Sequence, residues 1–312
     1  MNETGKTIHI REAVTPEEVE RFWQELHAYH ARDIFPDPAE EDRAYFLDDS
    51  QYRAAVQRIH DREGDRCYYL LFRREGRDIG FALTALYPSE DGKCFVMEFC
   101  VLPEFRGGGT GTACARLLLD WAADRGVQYE ELNAADPRRI RFWSRLGFRP
   151  NGRDEWGEPL MLRSPEQALS ITVELLSDPA DWQLRKLENG YLAEIGEPLL
   201  TEESTERLRA AVEQGHIRFL LAYRGCRAVG MCSVAENFST FCCGPAAVLE
   251  DLYVEPVFRR QGIARQLTRS AQALCRERGV GSLTVCCAPC DEAMYQALGF
   301  NVPLGVSRSC LL

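Results

Sequence analysis

The apolar and polar positions of this chain switch repeatedly between a period near two and a period near 3.6, so strands and helices follow one another. Ile8–Arg11 predicts a first strand. Thr15-Pro16-Glu17-Glu18 then predicts a helix start, with a capping Thr, Pro at the first helical position and acids in the first turn, and the helix runs to about His30. Asp33–Asp49, acidic and broken by prolines, predicts a loop with a short helix. Cys67–Arg73 and Asp78–Tyr87 flank Arg74-Glu75-Gly76-Arg77 and predict a hairpin turning at Glu75-Gly76. Phe95–Leu102 is a near-continuous apolar strand interrupted by Glu98. Thr112–Arg125 then places Leu117, Leu118 and Trp121 at helical spacing, with Gly126 as terminator. A strand at Tyr129–Asn133, a helix near Pro137–Leu146 and a hairpin ending at about Leu162 complete this half. Such alternation, with hairpins at both ends, predicts a mixed α/β sheet with helices on its faces.

The second half repeats the order. Ile171–Leu176 predicts a strand, Leu184–Glu188 and Thr201–Gly215 helices, and Ile217–Tyr223 with Arg227–Val234 a hairpin. Leu220-Leu221 and Gly230 lie 150 residues after Leu70-Leu71 and Gly80, while Arg259, Pro256, Phe258 and Gly262 lie 153 after Arg106, Pro103, Phe105 and Gly109. Leu146-Gly147-Phe148 returns as Leu298-Gly299-Phe300. The chain is an internal duplication, with domains expected at 1–163 and 169–312 and a linker at Ser164–Ala168. Thr15–Asp49 and Pro179–Gly215 show little similarity, and there the halves are expected to differ in what they bind.

The 312 residues suit two domains, and 45% hydrophobic with 27% charged residues suits a folded, soluble protein. A net charge of −11 argues against nucleic-acid binding and accommodates an amine-bearing ligand. Met1–Ile10 has no apolar core and no apolar run approaches the roughly 20 residues of a membrane span, so no membrane partner and a cytoplasmic location are expected. The 13 cysteines follow no framework spacing and predict reduced, mostly buried thiols. A zinc site from Cys242–Cys243 with Cys286, Cys287 and Cys290 is disfavoured, because a second C-x-x-C is lacking and Cys286 reads as part of a core strand. His27 and His30 read as ordinary surface residues. No metal is expected.

The chemistry lies in the two strand-to-helix turns. Arg106, Gly107, Gly108, Gly109, Thr110, Gly111 and Thr112 spell R-x-x-G-x-G before one helix; Arg259, Arg260, Gln261, Gly262, Ile263 and Ala264 spell R-x-x-G-x-A before the other. The first amides of a helix lack internal partners and stand at its positive end, and small residues let an anion approach them, with the Arg as a cation at the rim. Neither turn has the lysine of a P-loop or a complete dinucleotide fingerprint. A turn that merely needs unusual dihedrals is the alternative for one copy, and the repetition favours the anion site.

With V-x-P-x-F-R-x-x-G-x-[GA], a following helix and strand, and a later L-G-F, both Tyr68–Phe148 and Phe219–Phe300 resemble the GNAT superfamily of acyl-CoA-dependent N-acetyltransferases. The resemblance implies two tandem GNAT-like domains, each a mixed, mostly antiparallel, splayed sheet flanked by helices, with acetyl-CoA in the cleft as acyl donor. It further implies that the turn amides hold the pyrophosphate and that Cys100 and Val101, or Tyr253 and Val254, pair with the pantetheine arm. Acetyl transfer to an ammonium requires a base, since its pKa is about 10.4. Glu98, Glu250 and Asp251 are candidates because carboxylates within apolar strands are costly to bury; strand-end carboxylates that are simply hydrated or paired are the alternative. A Tyr four residues before the Gly of L-G-F commonly serves in the family as acid, and here it is Tyr295; the first half has Trp143 there, which has no usable acidity. The expectation is an N-acetyltransferase acting on an amine-bearing small molecule or peptide, with the chemistry in the C-terminal domain. Activity of the N-terminal domain through Glu98, and a catalytically silent acyl-CoA-binding regulatory protein, are the alternatives.

Overall fold

Thr15 caps the first helix as its sequence predicts: its hydroxyl accepts from the Glu18 amide at 3.3 Å, and the Glu18 carboxylate accepts from the Thr15 amide in return. The computed structural model describes residues 7–37, 39, 42–48, 51–154, 156–165, 170–240 and 243–305. The chain forms two units, residues 1–150 with 158–166, and residues 151–157 with 167–312. Most of the expected linker lies outside the described residues.

In the first unit, β1 (His9–Glu12) leads into α1 (Pro16–Tyr29), which continues as a π-helical turn, His30–Ile34. A second such turn, Ala44–Asp48, precedes α2 (Gln51–His60). The sequence pattern did not announce α2, because it buries only Tyr52 and Val56. The hairpin β2 (Arg66–Arg74) and β3 (Arg77–Tyr87) turns through Glu75 and Gly76, both at positive φ, 52° and 76°. There follow β4 (Lys93–Val101), α3 (Thr110–Ala123), β5 (Tyr129–Asn133), α4 (Pro137–Ser144), β6 (Arg149–Arg153), whose residues from Asn151 on are counted with the second unit, and β7 (Pro159–Arg163). The sheet order is β1-β2-β3-β4-β5-β7-β6, and β4–β5 is the parallel pair. Its two faces bury different cores: Phe72, Leu118, Trp143 and Phe148 belong to the α3 and α4 side, and Phe22, Trp23, Tyr69 and Phe81 to the α1 and α2 side.

The second unit contains β8 (Ile171–Leu175), α5 (Trp182–Ile195), α6 (Glu202–Glu213), β9 (Ile217–Arg224), β10 (Arg227–Ser239), β11 (Gly244–Val254), α7 (Ile263–Glu277), β12 (Leu283–Val285) and α8 (Glu292–Ala297). Its sheet order is β12-β11-β10-β9-β8, again with one parallel pair, β11–β12. Two elements outrun the sequence expectation. Helix α5 is about two turns longer at its C-terminal side, up to a left-handed Gly196, and β10 extends to Ser239 to make a long hairpin with β11.

The cysteines divide more evenly than expected. Cys67, Cys94, Cys100, Cys114, Cys232 and Cys275 are buried free thiols, whereas Cys226, Cys243, Cys286, Cys287 and Cys290 are exposed. Cys286 follows β12 and is not part of a core strand, because that strand ends at Val285. Cys242 lies outside the described residues. Among the described residues no helix is long and apolar enough to cross a membrane.

Candidate active site

Each sheet opens at a parallel pair, β4–β5 in the first and β11–β12 in the second. Strands β4 and β5 are in register only from Lys93 with Tyr129 to Phe95 with Glu131, and β11 and β12 only from Ala247 with Leu283 to Leu249 with Val285. Beyond those points the partners part, leaving Val96–Val101 and Glu250–Val254 along the side of a notch that ends at the glycine turn. A bulge sits where they part: Met97 is the extra residue between the Val96 and Glu98 pairings, and Glu250 with Asp251 stand opposite Ser233. Bulges re-aim side chains, which is how an acidic residue in an apolar strand comes to face a cleft. On the other side of the strand, glycine is required for close approach. A Cβ at Gly80 would lie 2.4 Å from the Cys100 carbonyl oxygen, and one at Gly230 would lie 2.8 Å from that of Tyr253. The repeated glycine therefore reflects one shared packing constraint.

The turns have the same shape in both units. Gly107, Gly108 and Gly109 take φ of 92°, 55° and 83°, and Arg260 and Gly262 take 63° and 83°. Helices α3 and α7 start from Gly109 and Gly262 as left-handed caps without a side-chain hydrogen bond. A Cβ on Gly107, Gly108, Gly109 or Gly262 would meet nothing within 4 Å, so the space over the turn is open. Open amides at a helix start suit a phosphate. The arginine expected as a rim cation is engaged elsewhere. Arg106 Nε donates to the Val101 carbonyl at 2.8 Å and its Nη2 pairs with Asp33 at 2.5 Å. Arg259 repeats this, donating to the Val254 carbonyl at 2.8 Å and pairing with Glu194. Burial alone would raise the Asp33 carboxyl, but Arg106 and then Arg32 hold it below the usual carboxylate range. Each motif arginine thus ties the end of its strand to an acid on the dissimilar entry segment.

The carboxylates differ between units. In the first, Glu98 is held by His30 Nε2 at 2.7 Å and by the Tyr52 hydroxyl at 3.2 Å. His30 is fully buried, contrary to its expected surface position. It continues the spacing of Phe22, Trp23 and Leu26 on the buried face of α1, and that spacing was the available signal. Trp143 is buried among Phe99, Phe142 and Phe148, at ring distances of 5.0 to 5.2 Å.

In the second unit, Asp251 accepts from the Ser233 hydroxyl at 3.0 Å and from Tyr191, and burial raises its carboxyl above the usual range despite those bonds. Beside it stands a residue the sequence did not single out. Glu188, on α5, is 6% exposed, and burial first and Asp251 second push its carboxyl up to about 8. It shares the buried face of α5 with Leu184 and Leu187, at helical spacing. Tyr295, on α8, is half-buried; burial first, then Tyr191, with Asp251 among the smaller contributors, pushes its hydroxyl up to about 12. Glu250 is exposed. The second notch therefore gathers Asp251, Glu188, Tyr191 and Tyr295 into one electrostatic group, whereas the first surrounds a single carboxylate with donors.

The model of the acetyltransferase (GNAT) family matches residues 23–148 and 182–300, more than half of the chain. The chain belongs to the GNAT acetyltransferase family. Each matched region of this GNAT protein holds one glycine turn and one notch. A thialysine N-epsilon-acetyltransferase of Caenorhabditis elegans is 34% identical over 77 residues, 25% of this chain and 48% of that protein. An L-2,4-diaminobutyric acid acetyltransferase of Nocardia farcinica is 43% identical over 53 residues, 17% of this chain and 28% of that protein. The GNAT chain thus spans half or less of the length of these curated relatives. Among solved structures, an aminoglycoside acetyltransferase from an uncultured soil metagenomic sample, in complex with sisomicin, is similar at a TM-score of 0.41 and 19% identity, covering 46% of this chain and 95% of that one.

Proposed function

We propose that the protein transfers an acetyl group from acetyl-CoA to a primary amine of a small molecule, and that the transfer takes place in the second unit. The observation that carries this is buried Glu188 and half-buried Asp251, which act on one another, together with Tyr295, on which Asp251 also acts. Glu188, pushed up to about 8, titrates close to neutral pH beside an Asp251 carboxyl that burial also raises, a setting that suits an alkylammonium. A base titrating near the working pH is the effective one for taking the ammonium proton, directly or through water. The freed amine lone pair then forms the C–N bond to the acetyl carbon as the C–S bond breaks; Tyr295, pushed up to about 12, gives its proton to the departing sulfur and regains one from the nitrogen, directly or through water, as the amide forms. Both curated relatives are named for amino acids that carry a side-chain amine, which supports a small amine as acceptor. The cofactor would lie with its pyrophosphate on the amides of Gly262–Ala264 and its pantetheine arm along Tyr253 and Val254; Arg106–Thr112 with Cys100 and Val101 form the matching place in the first unit.

The test is acetyl-CoA turnover over a panel of diamines, basic amino acids and aminoglycosides with Tyr295→Phe, Asp251→Asn and Glu98→Gln. The first two variants should lose roughly 10²- to 10⁴-fold in kcat, as expected for a removed proton-transfer group, and Glu98→Gln should lose little. Loss confined to Glu98→Gln would move the chemistry to the first unit. Turnover by none of the proteins, with CoA still stabilising the fold, would leave a regulatory acyl-CoA binder.

A further inference from the structure

Helix α4 carries a basic face that the proposed chemistry does not use. Arg138, Arg141 and Arg145 line an open depression of about 210 Å³ together with Phe142. Among the described residues, none of the three guanidinium groups makes an ion pair or a side-chain hydrogen bond, although Arg139 between them is engaged on the Asp33 carbonyl at 3.1 Å. Asp136, the acid nearest in sequence, is turned to the amides of Arg138 and Arg139 as the helix cap. Along this face of α4 and its C-cap the three cations are compensated by charge, among the described residues, only where Arg138 acts on Asp136 through space, and like charges at helical spacing are mildly unfavourable, so an anion placed among them would be favoured.

The position of this face identifies the anion. A Cβ at Gly111 would lie 3.4 Å from Phe142, so the ring that floors the depression rests on the first turn of α3, whose amides form the phosphate cradle. The depression is smaller than a site that encloses a whole ligand and suits one terminal group of a molecule whose diphosphate lies on the cradle. The duplication supplies the control. In the second unit the residues at the places of Arg138, Arg141, Phe142 and Arg145, aligned through Leu-Gly-Phe, are Cys290, Ala293, Met294 and Ala297, so the turn is repeated and the arginine face is not.

Resting on the proposed placement of coenzyme A over Arg106–Thr112, we infer that Arg138, Arg141 and Arg145 form a phosphomonoester site that takes the 3′-phosphate at the adenosine end of coenzyme A in the first unit only. The two units then differ in kind. The first holds the phosphorylated carrier strongly and lacks an acid at Trp143, and the second accepts the carrier through its turn and strand edge alone.

The experiment is calorimetric titration of the full chain with CoA and with 3′-dephospho-CoA, for the wild type and for the triple variant R138Q/R141Q/R145Q, at low and high salt. Charge-assisted hydrogen bonds to a phosphate predict one of two sites preferring CoA by roughly 10- to 100-fold, a preference that shrinks with salt. The triple variant should lower that preference to below about threefold while leaving dephospho-CoA affinity unchanged. The substituted side chains are exposed, and circular dichroism checks that α4 persists. Equal affinity of the wild type for both compounds, or a preference that survives in the variant, overturns the inference and leaves the turn assignment standing. Saturable binding of inorganic phosphate that depends on the arginines, with no preference for CoA, assigns the face to a free phosphate or a phosphorylated acceptor and also overturns it. Absence of binding by either compound removes the turn assignment itself and the inference with it.

Discussion

Glu188→Gln tests the carboxylate pair without any knowledge of the acceptor. A carboxyl that titrates at 4.5 when exposed and at about 8 in the fold binds its proton more tightly in the native state than in the unfolded one. Between those two pH values the native protein carries more protons, so stability falls as pH rises through the window and is constant above it. At about 1.4 kcal/mol for each tenfold change in proton affinity, the full cost is roughly 5 kcal/mol, and screening and relaxation around the pair reduce it to the order of 3. Glutamine is close in shape to the protonated acid and cannot ionise. The variant should therefore match the wild type near pH 4.5 and exceed it above pH 8, with the difference growing steadily between. The assay is urea unfolding without cofactor at pH 4.5, 6, 7 and 8.5, comparing the transition that the substitution moves, because two units need not unfold together. A difference that is flat with pH, or that favours the wild type at pH 8.5, would refute the burial of a proton at Glu188.

Four further outcomes follow from the same geometry. If Glu188 takes the substrate proton, the acid limb of kcat/KM against pH should disappear or shift in Glu188→Gln, read with the fastest amine found. Arg260 sits at φ 63° where the first unit has Gly107, so Arg260→Gly should stabilise the second turn by about 1 kcal/mol in thermal unfolding. Gly230→Ala should abolish turnover and lower the melting temperature, since its methyl carbon would lie 2.8 Å from the Tyr253 carbonyl and must displace β11 at the notch; an active, equally stable variant would contradict that packing. Glu255 is 4% exposed and accepts from both Nε and Nη2 of fully buried Arg227, at 2.9 and 2.8 Å, so Glu255→Ala should cost roughly 3 to 5 kcal/mol by removing the bidentate carboxylate of a buried cation. A loss under 1 kcal/mol in denaturant unfolding would show that this pair does not carry the burial of Arg227.

Local signals made much of this protein legible in one dimension. The capping box at Thr15, the positive-φ turn at Glu75-Gly76 and the glycines before α3 and α7 all act over a few residues, where side-chain chemistry determines backbone shape directly. Duplication amplified them, because a turn seen twice in the same strand-to-helix setting is constrained twice, and Gly80 and Gly230 reveal the common contact. Partnerships across the fold carried no such mark. His30 meets Glu98 across 68 residues, and Asp33 meets Arg106 across 73. Glu188 is a routine acid on a helix until α5 is laid against β11, where the same burial that hides Leu184 and Leu187 removes its water and sets it beside Asp251. The amino-acid order alone determined the two turns, the place proposed for an anion; the tertiary structure decided which acids share a dry space, because proton affinity depends on the surroundings that only packing supplies.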